Sequence, residues 1–200
     1  IRGIKGAYPL IPISERVKGY VALCRPLSVF VGLLAGVFLY ALASAYYNAA
    51  FSWRAAAALG LTLGVMHAAA QACNQIVLEE IAIDAINKPY RPLPARRVSV
   101  SEAWQLSLIL LVVGLLLAAT QGYCFLVCCL AMLFFAFTYS FYPLRIKRFL
   151  WLNLVWMALG RGFFPLLACW TAVADVNTEA LALATYMFLY VFALQSTKDF

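Results

Sequence analysis

The chain has 200 residues, 66% of them hydrophobic and only 12% charged, with a mean hydropathy of +0.89. Soluble domains carry about 25% charged residues, so a water-soluble globular domain is excluded: too little polar sequence is left to cover its surface. Fifteen Lys and Arg against eight Asp and Glu give a net charge of +7, suited to anionic lipid headgroups or an anionic substrate, and no nucleic-acid partner is expected.

Apolar runs near the length that crosses a bilayer, about 20 residues, predict six membrane helices: Pro26–Tyr47, Ala55–Leu78, Trp104–Thr120, Gly122–Tyr142, Leu150–Val173 and Ala180–Ser196. The fold class expected is an all-α polytopic transmembrane helix bundle. Arg2, Lys5, Arg16, Lys18 and Arg25 precede the first helix. Lys88, Arg91, Arg96 and Arg97 follow the second, Arg145, Lys147 and Arg148 follow the fourth, and Lys198 follows the sixth. The intervening loops hold only Arg54, and Gln121-Gly122 makes a tight hairpin of the third and fourth helices. Cations gather on the cytosolic side of membrane proteins. The N-terminus and the exits of the even-numbered helices are therefore expected in the cytosol.

The six cysteines lie in or beside apolar runs and never form a C-x-x-C pair. They read as small apolar filler between helices, not as metal or disulfide sites.

The connection after the second helix, EEIAIDAINKPYRPLPARR from Glu79 to Arg97, gathers three of the eight acids with four of the fifteen Lys and Arg. Orientation in the membrane accounts for the cations but not for carboxylates. If the second helix continues past Leu78, Glu80 and Asp84 share a face, with Cβ atoms about 5–6 Å apart. Like charges so placed call for a cation between them. A hard divalent ion is one reading, since Mg²⁺ takes one or two carboxylates plus waters and substrate phosphates. Neutralisation by Lys88 or Arg91 is the other. Lys88-Pro89 ends the helical stretch, the proline-rich run to Pro94 makes an ordered connection, and Ser99 with Glu102 forms an S-x-x-E capping box for the third helix.

Arg161 lies about halfway along the fifth helix between Gly160 and Gly162, a depth at which a charge is costly and so functional by default. His67 is the only histidine; packing with a hydrogen bond is preferred to a general-base role. Tyr139 and Tyr142 close the fourth helix, as interfacial anchors or as contacts to a bound substrate.

"NQ" at Asn74-Gln75, the acids, and "IDAINKPYRPLP" resemble the first Asp-rich motif of the UbiA superfamily of intramembrane prenyltransferases. "RP" at Arg25-Pro26, "YSFYPLRIKRF" from Tyr139 and "KDF" from Lys198 agree in order, so the resemblance covers nearly the whole chain. It implies a single prenyltransferase domain over residues 1–200, with six of nine expected membrane helices present and the last helices beyond this stretch. It also implies a central cavity whose two acidic motifs hold Mg²⁺ and an isoprenyl diphosphate. Anchored on Asn87, Glu80 and Asp84 fall in the family register, while Ile76 occupies the position of the motif's Asn. Asn74 lies two residues early, so either a bulge restores it or it is not a ligand.

On this resemblance, Glu80, Asp84, Asp199 and Asn74 are the expected metal-binding residues, with Glu80, Asp84 and Asp199 catalytic. Lys88, Arg91, Lys198, Arg145 and Lys147 are expected at the diphosphate, with Arg148 either a further clamp or an orientation signal. Tyr139, Tyr142 and Arg161 are expected at the acceptor and prenyl pocket. Arg161 would meet an acceptor's carboxylate or phenol, or pair with an acid elsewhere. "LGRGFFP" resembles the homogentisate branch, so an aromatic acceptor for lipid-quinone or tocopherol synthesis is the first expectation. The alternative is a lipid or tetrapyrrole acceptor such as geranylgeranylglyceryl phosphate or chlorophyllide. The expected protein is an integral membrane enzyme with its active site at the cytosolic face. A transporter or a scaffold is the non-enzymatic reading.

Overall fold

The computed structural model describes residues 12–199, with side chains up to residue 197. Arg2, Lys5 and the side chains of Lys198 and Asp199 lie outside what is described. Helices α1 (Ile13–Cys24), α2 (Pro26–Tyr46), α3 (Trp53–Ile76), α4 (Leu78–Asn87), α5 (Val100–Gln121) and α6 (Tyr123–Ser140) follow one another closely. After a 3₁₀ turn at Ile146–Arg148 come α7 (Leu150–Ala158), a π-helical segment at Leu159–Phe163, α8 (Phe164–Trp170) and α9 (Thr178–Asp199). The described residues contain no strand. Among the described residues six stretches are long and apolar enough to cross a membrane: α2, α3, α5, α6, the α7–α8 run and α9. The chain is an integral membrane protein.

The hub is α3, 67% of whose apolar stretch is buried, against 50% or less for every other span. Small residues let its neighbours come close. Gly32 and Gly36 on α2 face Gly60 and Gly64 on α3, two small-xxx-small pairs of the kind that join membrane helices. A Cβ on Gly36 would lie 2.6 Å from the Gly60 Cα, and one on Gly60 would lie 2.7 Å from the Leu33 carbonyl oxygen. No side chain fits between these two backbones. Leu59, Leu63, Phe125, Cys129, Leu166, Cys169 and Trp170 fill the core beside them, and all six cysteines are free thiols. Leu108, Ile109, Leu116 and Phe134 point outward, each more than half exposed, as lipid-facing residues should.

Two features depart from the reading of apolar runs. Helix α1 was not predicted, because a 12-residue amphipathic helix has no run long enough to register. It exposes Ile13, Val17 and Val21, four residues apart, and buries Gly19 and Leu23. The second predicted helix also fails to continue into the acids. Val77 adopts φ −59°, ψ 125°, so α3 stops at Ile76 and α4 starts afresh at Leu78. The helix dipole explains the choice: Glu79 and Glu80 then occupy a positive N-terminal first turn and not the negative C-terminal end of α3.

The remaining boundaries follow local chemistry. Ser99 Oγ accepts from the Glu102 N–H at 3.1 Å while the Glu102 carboxylate accepts from the Ser99 N–H at 2.8 Å. This capping box starts α5 four residues ahead of the predicted Trp104. Gly122, at φ 121°, makes the hairpin turn between α5 and α6, a backbone conformation that a side chain would strain. The proline-rich connection is ordered, with Leu93 and Val98 packed on Leu23, Ile76 and Ala103.

Candidate functional site

The acids on α4 lie at one end of the bundle, where every ion pair among the described residues is found. Asp84 is 6% exposed and pairs with Arg91, which the turn after Lys88 folds back towards its own helix. Glu80 meets Lys147 Nζ at 2.7 Å and Arg145 Nη2 at 4.0 Å, and Glu79 meets Arg145 Nη1 at 3.7 Å. Arg145 and Lys147 come from the turn after α6 and are themselves mostly buried, with side-chain exposures of 11% and 13%. The tips of α4 and of the α6–α7 connection are thus clamped by charge.

Arg25, between α1 and α2, belongs to the same cluster. Burial pushes its guanidinium below the usual arginine value, and Arg91 adds to this while Asp84, Glu80 and Tyr139 oppose it. Both Arg25 (φ 50°) and Arg145 (φ 39°) hold left-handed backbones. Such conformations cost about 1–3 kcal/mol each in a residue other than glycine and gather at functional sites. Tyr142 is exposed and serves Arg145: Arg145 Nη1 donates to its hydroxyl at 3.1 Å, and the Arg145 and Arg148 guanidinium carbons lie 5.4 and 5.5 Å from its ring centre. Lys88 is exposed and forms no ion pair among the described residues.

Between α3, α6 and the α7–α8 run lies a cavity that is partly open to solvent. Its apolar wall is built by Met132, Leu133, Phe135, Trp156 and Met157. Phe135 and Trp156 meet edge to face with ring centres 5.1 Å apart, and Trp156 Nε1 donates to Thr138 Oγ1 at 2.7 Å. The polar wall is a stripe on α3: His67, Gln71 and Asn74 lie at i, i+4 and i+7 and so share one face. Tyr139, Ser140 and Arg161 complete it.

Arg161 sits in the π-helical segment, a distortion often found at functional sites, and no acid among the described residues pairs with it. The glycine beside it has a packing reason: a Cβ on Gly162 would lie 2.7 Å from the Met187 carbonyl oxygen of α9. His67 Nδ1 lies 3.0 Å from the Leu63 carbonyl oxygen. Asn74 Oδ1 accepts from Ser140 Oγ at 2.8 Å. Between Asn74 and the acids the backbone makes an extended step at Val77, so the bulge that would have brought Asn74 into register is absent there. Gln71 Oε1 is buried with no hydrogen-bond partner among the described residues, a state that costs about 1–3 kcal/mol.

The structure therefore divides the expected residues between two places. Glu80, Asp84, Arg91, Arg145, Lys147 and Tyr142 meet at the charged end; Asn74, Tyr139 and Arg161 line the cavity. Two carboxylates stand one turn apart, and no third His, Cys, Asp or Glu among the described residues joins them. That donor set is too small to enclose Zn²⁺ or Ca²⁺. It fits Mg²⁺, which completes its shell with waters and substrate phosphates. Sequence reading gave no site role to Arg25, Gln71 or Ser140. Gln71 had a signal, the four-residue spacing from His67 inside an apolar helix.

Residues 33–200 match the family model described as the UbiA prenyltransferase family. A digeranylgeranylglyceryl phosphate synthase of Saccharolobus solfataricus is 29% identical over 102 residues, 51% of this chain and 34% of that protein. The bacteriochlorophyll synthase 34 kDa chain of Chloroflexus aurantiacus is 28% identical over 144 residues, 70% of this chain and 46% of that protein. The matches thus cover between a third and a half of these relatives' length. Among solved structures, one concerned with digeranylgeranylglyceryl phosphate synthase in membranes aligns with a TM-score of 0.76 and 24% identity, over 92% of this chain and 63% of the other. A UbiA homologue from Archaeoglobus fulgidus bound to GPP and Mg²⁺ aligns at 0.72 and 20%, over 88% and 61%. At these identities the structural likeness establishes the fold.

Proposed function

Because the chain belongs to the UbiA prenyltransferase family, we propose that the protein moves an isoprenyl group from an isoprenyl diphosphate to a lipid acceptor of the prenylglyceryl phosphate kind. The observation that carries this reading is the placing of Glu80 and Asp84. They face inward among Arg91, Arg145 and Lys147, on the same side of the bundle as Tyr139 and Ser140 at the end of the cavity wall.

The obstacle in prenyl transfer is the negative charge that gathers on the leaving diphosphate. Arg91, Arg145 and Lys147 supply fixed positive charge where it develops. Glu80 and Asp84 would hold Mg²⁺, which when bound neutralises phosphate oxygens; their present cationic partners then become free to turn to the diphosphate. The role expected for Asp199 belongs to this proposal and awaits test. Phe135, Trp156 and Tyr139 offer aromatic faces to the allylic cation, and the apolar wall keeps water from capturing it. Arg161 gives the acceptor's anionic group a partner inside the cavity. We place the charged end at the cytosolic face, where the cations of the loops are expected.

The acceptor is where this proposal parts from the first sequence expectation. The motifs leaned towards an aromatic acceptor, but the relatives' names are those of a lipid phosphate synthase and a bacteriochlorophyll synthase, which support the lipid or tetrapyrrole alternative. Membranes holding the protein are to be incubated with Mg²⁺, labelled geranylgeranyl diphosphate and four acceptors: geranylgeranylglyceryl phosphate, chlorophyllide, homogentisate and 4-hydroxybenzoate. Label is expected in the glyceryl phosphate product. Label in chlorophyllide alone would move the reading to tetrapyrroles, and none in any product, with the protein intact, would leave a transporter or scaffold.

A further inference from the structure

We propose that Gln71 is an acceptor-binding residue, holding the hydroxyl that attacks the prenyl chain. The inference rests on the prenyl-transfer reading above and adds to it the chemical group that the cavity is built to receive.

The two residues that flank Gln71 on the α3 face of the cavity each have a hydrogen-bond partner. His67 is bonded to Leu63 at 3.0 Å, and Asn74 Oδ1 is taken by Ser140 Oγ at 2.8 Å. Gln71 lines the same cavity, is 6% exposed, and its Oε1 has no partner among the described residues. Buried polar groups in folded proteins are almost always paired, and lipid tails offer no hydrogen bond. The partner must then come from what enters the cavity. A hydroxyl suits it, because a hydroxyl both donates and accepts and so pairs with a side-chain amide whichever way its oxygen and nitrogen are set. An anionic group has a better partner in Arg161, on the same cavity. The pocket thus offers one place for a hydroxyl and another for an anion.

In the step itself, the bond between C1 of the prenyl chain and the diphosphate oxygen breaks, and its electron pair leaves with the diphosphate. A bond forms between C1 and the acceptor's hydroxyl oxygen, whose proton passes to the released diphosphate. Gln71 takes no proton. It holds the hydroxyl oxygen with a lone pair towards C1. A site built around such a bond rejects the analogue that lacks the hydroxyl, because the amide is then left unpaired.

The test uses membranes carrying the whole protein, Mg²⁺, geranylgeranyl diphosphate, geranylgeranylglyceryl phosphate as acceptor, and the same acceptor with its free hydroxyl replaced by hydrogen. Gln71→Met keeps length and removes the hydrogen bond. Its KM for the acceptor is expected to rise at least tenfold while the KM for the diphosphate stays put, a split that a general packing defect would not produce. For the wild type, the deoxy analogue should inhibit with a constant at least tenfold above the acceptor KM, and this gap should close in Gln71→Met. An unchanged acceptor KM in the variant, or a deoxy analogue that inhibits the wild type as well as the acceptor binds, overturns the role of Gln71 and leaves prenyl transfer standing. The wild-type comparison decides the matter by itself if the variant does not insert. Wild-type membranes that transfer label to nothing overturn both readings together.

Discussion

Lys147 Nζ lies 2.7 Å from Glu80 Oε1, tying the turn after α6 to the helix that carries the acids. This pair is a resting arrangement in the proposed mechanism: substrate would take the ammonium for its phosphates and leave the carboxylate for the metal. Lys147→Met is expected to raise the KM for the prenyl diphosphate about tenfold or more, the worth of one charge-assisted hydrogen bond. Steady-state kinetics at saturating acceptor measure it, and an unchanged KM removes Lys147 from the diphosphate site.

Asp84→Ala is expected to abolish transfer while the protein remains inserted in the membrane. Loss of a group that stabilises developing charge costs on the order of 10²–10³ in kcat. Chelation of divalent ions should likewise stop the wild type, and added Mg²⁺ should restore it. Turnover is read beside a membrane-flotation control. Turnover in Asp84→Ala at the wild-type rate would exclude the carboxylate from the chemistry.

The contact of α2 with α3 leaves no room at Gly36, whose Cβ would lie 2.6 Å from Gly60. Gly36→Val is expected to cost about 1–3 kcal/mol, the usual penalty of overpacking, because backbone and not a pliant side chain must yield. Thermal unfolding in detergent measures it. Leu42→Val, at an exposed position of the same helix, is the control and should change little.

The start of α5 rests on the reciprocal hydrogen bonds of Ser99 and Glu102, at 3.1 and 2.8 Å, and thermal unfolding in detergent reads what they contribute. Ser99→Ala should cost about 1 kcal/mol at neutral pH.

Much of the fold was legible because membrane helices are written in local hydropathy. Pro26, Leu150 and the Gln121-Gly122 turn all fall where the composition placed them. The Ser99–Glu102 box was legible for a similar reason, since capping chemistry spans four residues. Helix α1 escaped because its apolar residues form a stripe and not a run. The break at Val77 escaped because it depends on the balance between continuing one helix and giving two glutamates a new helix start.

What the sequence alone determined is what neighbours along the chain determine: six spans, the clustering of cations in alternate loops, and the carboxylates four residues apart on one helical face. What tertiary structure decided is which distant groups share a space. Only packing brings Arg145 and Lys147 to Glu79 and Glu80, Ser140 to Asn74, and Arg161 to the wall that Gln71 occupies. Hydropathy is a sum over adjacent residues, whereas a pairing or a cavity depends on how helices are turned about their axes and how closely their glycines let them approach, and neither is carried by any single stretch of sequence.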